Sequence, residues 1–320
     1  MKILVTGGAG FIASNVVDGY VEAGHNVVVI DNLSTGKKEN LNKSATFYEI
    51  DIRSPELPEI INTEKPDIIN HHAAQISVPA SVEDPGLDAD VNIKGLINLL
   101  EASRKTGLKK IIFISSGGAI YGEADKDNYP TDETYPPNPL SPYAITKLTS
   151  EHYLYYYHHQ WGIDYTILRY SNIYGPRQIP NGEAGVVSIF MNLLMHNKEC
   201  TLYHFPERPS GMIRDYCFVG DIVEANLRAL DHGENETYNI ATGVETTTLN
   251  LFNVIFDSIK TIKGDLDDNL SNPRRAIARP GDITRSCLIV EKARTGLGWR
   301  PTTSLAGGIK ATLEWYTKHH

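Results

Sequence analysis

This sequence of 320 residues has few cysteines, a negative net charge and no long apolar run. The three cysteines, Cys200, Cys217 and Cys287, are an odd number without metal-ligand spacing, which argues against a disulfide framework and favours a reducing compartment. A formal net charge of −9 argues against nucleic acid or an anionic membrane as the main partner. No apolar stretch approaches transmembrane length, and the run after Lys2 is too short for a signal peptide. We therefore expect a soluble cytoplasmic protein.

The amino-terminal segment is rich in glycine. Residues 3–30 predict a short apolar strand, a helix and a second apolar strand. Between the first strand and the helix, Gly8, Gly10 and Ala13 fit the spacing G-x-G-x-x-G/A. A backbone without Cβ atoms can approach a pyrophosphate there, at a helix N-terminus. Asp31 ends the second strand, where a carboxylate accepts ribose hydroxyls and repels a 2′-phosphate. The segment predicts a dinucleotide site that prefers NAD.

Strand and helix patterns alternate up to about residue 170. Apolar runs at 67–70, 109–115 and 164–170 end in polar or small residues, and helical stretches at 87–106 and 143–160 lie between them. Such alternation predicts an α/β fold with a doubly wound parallel sheet, in which ligands bind at the carboxyl ends of the strands.

The second half is richer in proline and glycine loops. Helical segments are predicted at 186–197, 221–232, 249–262 and 305–318. The segment 237–242 is strand-like, and we expect it to rejoin the main sheet. The predicted domains are a dinucleotide-binding domain over 1–170 and a smaller, interleaved, mainly substrate-binding domain over 171–320.

Tyr143 and Lys147 are four residues apart in the segment SPYAITK, so a helix places both side chains on one face. A free tyrosine titrates near ~10. Lowering its pKa by about 3 units requires roughly 4 kcal/mol, which a nearby ammonium and an oxidised nicotinamide could supply together. Because the pair follows the dinucleotide pattern and the segment SSGGAIYG, we expect it to be catalytic.

Several segments in order resemble the extended short-chain dehydrogenase/reductase family, and most closely its UDP-sugar 4-epimerases. They are TGGAGFIA, DNLSTG, DI at 51–52, HHAAQISVPAS, VNIKG, SSGGAIYG, SPYAITK, RYSNIYGPRQ, RDY and RPGD. The resemblance covers nearly the whole chain. It implies a Rossmann sheet with a C-terminal substrate-binding domain, and NAD as a retained cofactor.

The resemblance also implies which residues hold NAD. Asp51 and Ile52 would flank the adenine, and Tyr170 would touch the nicotinamide end. The full set is Gly7, Gly10, Phe11, Ile12, Asp31, Asn32, Ser34, Thr35, Gly36, Asp51, Ile52, Ala73, Ala74, Gln75, Asn92, Tyr143, Lys147 and Tyr170.

A second set of residues would hold the UDP-sugar. Arg214 and Arg279 would clamp its diphosphate with guanidinium forks. Leu202 and Tyr203 would pack near the uracil, and Ser286 would border the pocket for the sugar's 2-substituent, where a small residue admits an N-acetyl group. The full set is Ser77, Asn172, Val186, Leu202, Tyr203, Arg214, Arg279, Asp282 and Ser286.

One position departs from the family pattern. The family usually places Ser or Thr four residues before the tyrosine of the YG pair, and here that position is Gly117. Either Ser116 or a bound water would then reach the sugar O4. The expected catalytic set is Tyr143, Lys147 and Ser116.

The resemblance implies C4 epimerisation of a UDP-hexose through a transient 4-keto sugar. We expect UDP-N-acetylglucosamine and UDP-N-acetylgalactosamine as substrates, with UDP-glucose and UDP-galactose as a further pair. Gly118 and Ala119 stand where 4,6-dehydratases of the family carry Asp-Glu. A 4-reductase or dehydratase of the same fold, and a non-catalytic NAD-sensing protein, are the alternatives.

The expected partner is a second copy of the chain. Helices over 87–106 and 143–160 would pair across a homodimer, with Tyr153, Tyr156 and Tyr157 exposed on the second helix. The histidine pairs lack a third ligand, so no metal site is expected.

Overall fold

A computed structural model describes residues 1–125, 127–180, 185–264, 266–278 and 282–319. The strands are β1 (Lys2–Thr6), β2 (Asn26–Asp31), β3 (Thr46–Glu49), β4 (Ile68–His71), β5 (Lys110–Ser116), β6 (Asp164–Tyr170), β7 (Asn172–Tyr174), β8 (Thr201–His204), β9 (Ile213–Arg214), β10 (Tyr216–Phe218), β11 (Glu236–Ile240), β12 (Thr246–Thr247) and β13 (Arg274–Ile277). The α-helices are α1 (Phe11–Glu22), α2 (Leu57–Glu64), α3 (Val78–Glu83), α4 (Pro85–Ala89), α5 (Gly95–Ser103), α6 (Gly117–Ile120), α7 (Pro142–Trp161), α8 (Val186–Met195), α9 (Val219–Asp231), α10 (Thr248–Lys263), α11 (Glu291–Gly296) and α12 (Leu305–His319). A π-helical turn (Asp90–Lys94) joins α4 to α5, and 3₁₀ turns cover Lys38–Asn40 and Asp268–Ser271.

The central sheet is parallel throughout. Over the described ranges it contains seven strands in the order β3-β2-β1-β4-β5-β6-β11. The strand order reverses between β1 and β4, which opens a crevice at their carboxyl ends. The predicted α/β class and doubly wound sheet are confirmed.

Both faces of the sheet are covered by helices. In β1, Ile3 and Val5 contribute to the core beneath α1 and α9, whereas Leu4 points into the core beneath α2, α5 and α7. Because successive side chains of a strand point to opposite faces, a strand that is buried on both faces needs a continuous apolar run.

The helix predicted over 87–106 contains a π-helical turn. It begins as α4 at Pro85, passes through the π-helical turn and continues as α5 to Ser103. The chain comes very close to its neighbours where α5 begins, since a Cβ added at Gly95 would lie 2.5 Å from the Ile52 Cδ1 atom. A π-turn inserts an extra residue into the helix and redirects the side chains around it. The helical stretch was predicted from the sequence, whereas its π-turn was not.

The region after β6 forms a further core, in which α8, α10 and α12 pack together. Asp215, between β9 and β10, ties several of its segments together. The Asp215 carboxylate accepts hydrogen bonds from the backbone amides of Thr242 and Gly243, both at 2.8 Å. The Cys287 thiol lies 3.6 Å from the same carboxylate, and the Asn172 amide donates to the Asp215 carbonyl at 3.0 Å.

The three cysteines are free and buried. In the part of the chain that the structure describes, no helix has both the length and the apolar content needed to span a membrane.

Candidate functional site

The glycine turn lies at the carboxyl end of β1. Gly7 has φ +71°, and a Cβ there would lie 2.9 Å from the Ala73 amide nitrogen, so only glycine lets this turn pack against the segment after β4. Gly10 caps α1 without a side-chain hydrogen bond, and a Cβ on it would meet only the Gly7 carbonyl, at 3.1 Å. The first-turn amides of Phe11 and Ile12 therefore receive no side-chain cap and suit a pyrophosphate.

Asp31 stands at the end of β2, beside this turn. It is buried, and its carboxylate accepts hydrogen bonds from the Ala9 amide at 3.0 Å and from the Leu33 amide at 2.7 Å. Each carboxylate oxygen keeps acceptor capacity for a ribose hydroxyl. Around Asp31 lie Asn32, Ser34 and Thr35, which are exposed, and Gly36, whose added Cβ would lie 2.9 Å from the Asp31 Oδ1 atom. The structure brings together all the residues predicted around the adenosine ribose.

The two residues predicted to flank the adenine, Asp51 and Ile52, lie in different environments. Hydrogen bonds from Arg53 hold the pKa of the Asp51 carboxyl well below its usual range, and the Asn32 amide also donates to it at 2.8 Å. Asp51 is thus an ionised acceptor near Asp31. The Ile52 side chain is buried in the core against Gly95. That Ile52 flanks the adenine stays a prediction, and its buried side chain leaves little surface for such a contact.

The middle of the predicted cofactor site contains a polar network. Ala73 donates its amide hydrogen to Thr6 at 3.1 Å, and the half-buried Ala74 follows it. The Gln75 amide donates to the Asn92 Oδ1 atom at 2.8 Å, and the Gln75 side chain donates to Asp88 at 2.8 Å.

Ser77 caps α3 by accepting from the Ala80 amide at 3.0 Å. Its role there is structural, and the predicted substrate contact stays a prediction.

Two members of the polar network were missed from the sequence. Asp88 and Thr146 are both buried, and they are joined by a hydrogen bond of 2.7 Å. The available signals were the i,i+4 spacing of Asp88 and Asn92, which places both on one helix face, and the position of Thr146 immediately before Lys147.

Tyr143 and Lys147 lie on the first two turns of α7, as predicted from their spacing. The Lys147 Nζ atom lies 6.0 Å from the centre of the Tyr143 ring and donates to the Ile114 carbonyl at 2.9 Å. A side-chain hydrogen bond joins Ser116, the last residue of β5, to Tyr143. The structure therefore brings the three predicted catalytic residues together.

Burial shifts the pKa values of both Tyr143 and Lys147. Burial raises the pKa of Tyr143 to about 12, although the Ser116 hydrogen bond acts in the opposite direction. Burial also lowers the pKa of Lys147 to about 8, while Asp88 and Glu151 partly restore it. The expectation that the Lys147 ammonium and an oxidised nicotinamide together lower the pKa of Tyr143 stays a prediction. Within this chain alone Tyr143 is held in its neutral form.

The space beside Gly117 explains why no hydroxyl stands there. A Cβ on Gly117 would lie 2.5 Å from the Leu288 Cδ1 atom and 3.2 Å from the Arg169 carbonyl oxygen. Leu288 is buried in a small cluster with Ile120 and Tyr121. Because that cluster fills the position, the hydroxyl partner of Tyr143 comes from the preceding residue.

Tyr170 ends β6, and its side chain has almost no exposed surface. It is buried in the core, and the Asn226 side-chain amide donates to its hydroxyl at 2.6 Å. The predicted contact of Tyr170 with the nicotinamide end stays a prediction. Ser171 follows at the carboxyl end of β6, and its buried hydroxyl has no hydrogen-bond partner in the part of the chain that the structure describes. Its position marks it as a missed candidate for this end of the site.

Several predicted substrate residues converge beyond β6. Arg214 donates to the Ile283 carbonyl at 2.9 Å, and its pKa is lowered by burial and raised in part by Asp282. The Ser286 amide donates to the Ile213 carbonyl at 3.0 Å, which places it beside Arg214. Asn172 is exposed just after β6. These contacts bring four predicted residues to one side of the cleft.

The remaining residues predicted to bind the substrate differ in their exposure. Val186 begins α8 and Tyr203 lies in β8, both half-buried. Leu202 has no exposed surface, and its predicted place near the uracil stays a prediction. Arg279 lies outside the described residues. Within the described ranges, His, Cys, Asp and Glu side chains form no cluster of three or more that could hold a metal ion.

Comparisons of this chain with known protein families, sequences and structures agree with the geometry of the site. Residues 3–241 match the model of the NAD dependent epimerase/dehydratase family. The chain is similar to a putative UDP-glucose 4-epimerase of Methanocaldococcus jannaschii, at 45% identity over 98% of this chain and 97% of that protein. It is also similar to the solved structure of a Thermotoga maritima UDP-glucose 4-epimerase with UDP-glucose, at TM-score 0.92 and 47% identity over 100% of this chain and 99% of that one.

A further similar structure is a UDP-N-acetylglucosamine 4-epimerase from Methanobrevibacter ruminantium M1 in complex with UDP-N-acetylmuramic acid. Its TM-score is 0.90, at 32% identity over 100% of this chain and 99% of that one. Because the family model covers well over half of the chain and a relative above 40% identity spans nearly all of it, this protein belongs to the NAD dependent epimerase/dehydratase family.

Proposed function

We propose that this protein is an NAD-dependent sugar-nucleotide 4-epimerase that inverts C4 of UDP-hexoses. The observation that carries the proposal is the hydrogen-bonded Ser116–Tyr143 pair beside Lys147, at the carboxyl end of β5 and across the switch point from the glycine turn. The similarity to two UDP-glucose 4-epimerases supports the same reaction.

The glycine turn and Asp31 are the residues that would hold NAD, which supplies a hydride acceptor and donor for C4 when it is bound. Tyr143 is placed to accept the proton of the 4-hydroxyl and to return it to the same oxygen, O4, after the 4-keto sugar has turned over. Ser116 donates a hydrogen bond that favours the phenolate form of Tyr143. Lys147 adds a positive charge to the same face of α7.

The pocket for the sugar's 2-substituent is the basis for the choice of substrate. Ser286 is a small residue beside Arg214, and an acetamido group forced into a filled site costs about 1–3 kcal/mol by overpacking. We propose that the enzyme interconverts UDP-N-acetylglucosamine with UDP-N-acetylgalactosamine and also UDP-glucose with UDP-galactose. A dehydratase reading lacks support, because Gly118 and Ala119 in α6 provide no acids at the strand end.

The activity is tested by incubating the purified protein, without added NAD, with each of the four UDP-hexoses and separating the products by chromatography. We expect the C4 epimer of each substrate. Tyr143→Phe removes one hydroxyl and should abolish turnover while bound NAD is retained. Turnover within a few-fold of the unmodified protein would contradict the role of Tyr143, and a 4-keto or 6-deoxy product would contradict epimerisation.

The substrate range is tested separately with Ser286→Tyr. Its turnover of the N-acetyl sugars should fall at least tenfold further than its turnover of UDP-glucose. Ser286→Ala is the matched control, because it keeps a small side chain at the pocket and should retain turnover of both the N-acetyl sugars and UDP-glucose. Equal losses on both sugar pairs in Ser286→Tyr would show that Ser286 does not border this pocket.

We also propose a homodimer that pairs through α3, α4 and α7. These helices pack together and present exposed aliphatic side chains, of which Val82 is 63% and Ile145 49% exposed. Tyr156 is exposed as expected, whereas Tyr153 is half-buried. The expectation for Tyr157 was wrong, since it is buried and donates to Glu101 at 2.7 Å.

A further inference from the structure

Asp88, on α4, is a carboxylate with no exposed surface. Its partners are all uncharged: the Gln75 side-chain amide at 2.8 Å, the Asn92 side-chain amide at 3.2 Å and the Thr146 hydroxyl at 2.7 Å. Burying an ionised carboxylate is costly unless hydrogen bonds or an opposite charge compensate for it. Hydrogen bonds hold this group, but they leave its negative charge unneutralised.

The hydrogen bonds fix this charge to the catalytic turn of α7. Thr146 lies between Tyr143 and Lys147, and its Oγ1 atom lies 3.0 Å from the Tyr143 carbonyl oxygen as well as 2.7 Å from Asp88. The Asn92 amide also donates to the same Oγ1 atom, at 3.1 Å. The carboxylate is therefore held at a constant position relative to both functional side chains.

Lys147 is buried and is a cation without a contacting anion. Its Nζ atom donates to the Ile114 carbonyl at 2.9 Å and lies 5.0 Å from the centre of the Phe113 ring, and no ion pair to it occurs among the described residues. Glu151, one turn along α7, is already neutralised by Arg169, with N–O distances of 2.6 and 3.0 Å. Among the described residues, Asp88 is thus the nearby carboxylate that forms no ion pair with another cation.

We propose that Asp88 is a positioning residue that provides the balancing negative charge for Lys147 and sets the protonation of the Tyr143–Lys147 pair. The other titratable groups that face Lys147 are His71 and His72 from β4 and Glu151 from α7. Burial lowers the pKa of both histidines to about 3, so they carry no charge at neutral pH. The negative charge of Asp88 raises the pKa of Lys147 and of Tyr143.

Asp88→Asn isolates the charge from the packing. The new amide oxygen can accept from Gln75 and Asn92, while its nitrogen can donate to the Thr146 hydroxyl, which then donates to the Tyr143 carbonyl. The volume and the hydrogen bonds are kept and only the charge is lost. In holoenzyme with ¹³C-labelled lysine and tyrosine, NMR titration should show both pKa values lowered by about half a pH unit or more. Lys147→Arg and Tyr143→Phe assign the two signals.

Two variants serve as comparisons. Glu83→Gln removes an exposed carboxylate from the adjacent α3 and should leave both pKa values unchanged. Thr146→Val breaks the link but keeps the charge, so it should lower the melting temperature with at most a small shift of either pKa. Unchanged titrations in Asp88→Asn, or equal shifts in Thr146→Val, would overturn the proposal. The titration needs no turnover, so its outcome is independent of the proposed function.

A kinetic measurement and a stability measurement complete the test. Both limbs of the pH profile of kcat should move to lower pH in Asp88→Asn, and unmoved limbs would contradict the proposal. The same change should destabilise the Lys147→Met protein less than the unmodified one, because the cation to be balanced is gone. If Asp88→Asn prevents folding to the same degree in both backgrounds, its role is packing alone and the proposal fails.

Discussion

The hydroxyl beside Tyr143 should work from position 116 and fail from position 117. A Cβ on Gly117 lies 2.5 Å from the Leu288 Cδ1 atom, whereas carbon atoms in contact normally lie about 3.5–4.0 Å apart. Overpacking of this kind costs about 1–3 kcal/mol. With an unfolding entropy of about 2.1 cal/mol/K per residue, the melting temperature of Gly117→Ser should fall by roughly 1.5–4.5 °C.

The assay compares kcat and thermal unfolding across a short series. Ser116→Ala should lower kcat about tenfold or more, since it removes a hydrogen bond to a group that becomes charged. Adding Gly117→Ser should not restore the rate, because the new side chain competes with Leu288 for space. Shortening Leu288 to Ala in that double variant should recover part of the rate, and Leu288→Ala alone is the control for the cavity that it creates.

Two results would refute this reasoning. A Ser116→Ala protein with unchanged kcat would show that the hydrogen bond to Tyr143 is not used in the reaction. A Gly117→Ser protein with unchanged melting temperature would show that Leu288 yields without cost, and the explanation for the displaced hydroxyl would be wrong.

Three further outcomes follow from other sites. Lys147→Met should lose turnover yet raise the melting temperature of the nucleotide-free protein at pH 7. Burial lowers the pKa of Lys147 to about 8, so the buried cation destabilises the fold below that pH. The gain in melting temperature should therefore vanish as the pH rises toward ~10.5, where the lysine of the unfolded chain also loses its proton. A constant gain across this range would contradict the buried charge. Gly7→Ala should weaken NAD retention and lower the melting temperature by displacing the backbone at Ala73, and NAD retention equal to the unmodified protein by absorbance after gel filtration would contradict this. Val82→Glu combined with Ile145→Glu should shift sedimentation at micromolar concentration from dimer to monomer, and a monomeric unmodified protein would refute the dimer.

The sheet was predictable because its central strands are buried on both faces and are therefore continuously apolar. Strand β3 was not predicted, since TFYE at the edge of the sheet is half exposed and lacks such a run. The interruption between α4 and α5 was also hidden, because the sequence around Asp90–Lys94 keeps an ordinary helical composition while packing and hydrogen bonds select the π-turn.

The site was predictable where a residue type is required and less so where orientation decides. At position 7 the backbone geometry requires glycine, and at position 31 the site requires a negative charge. Both residue types can be recognised directly in the sequence. Motif position indicated Ile52, Leu202 and Tyr170, but all three side chains point into cores, and motif position does not specify direction. The effect of burial on the pKa of a tyrosine likewise depends on packing that no local spacing reveals.

Asp215 limits which segments of this protein can be exchanged with those of its relatives. Its carboxylate holds the Thr242–Gly243 turn that follows the edge strand β11, and the same group contacts Cys287, next to the proposed pocket residue Ser286. Its carbonyl is bound to Asn172, just beyond β6. A chimera that exchanges only the C-terminal segment would leave a buried carboxylate with mismatched donors, so substrate range should transfer between relatives only when the strand-end turns move together with the pocket.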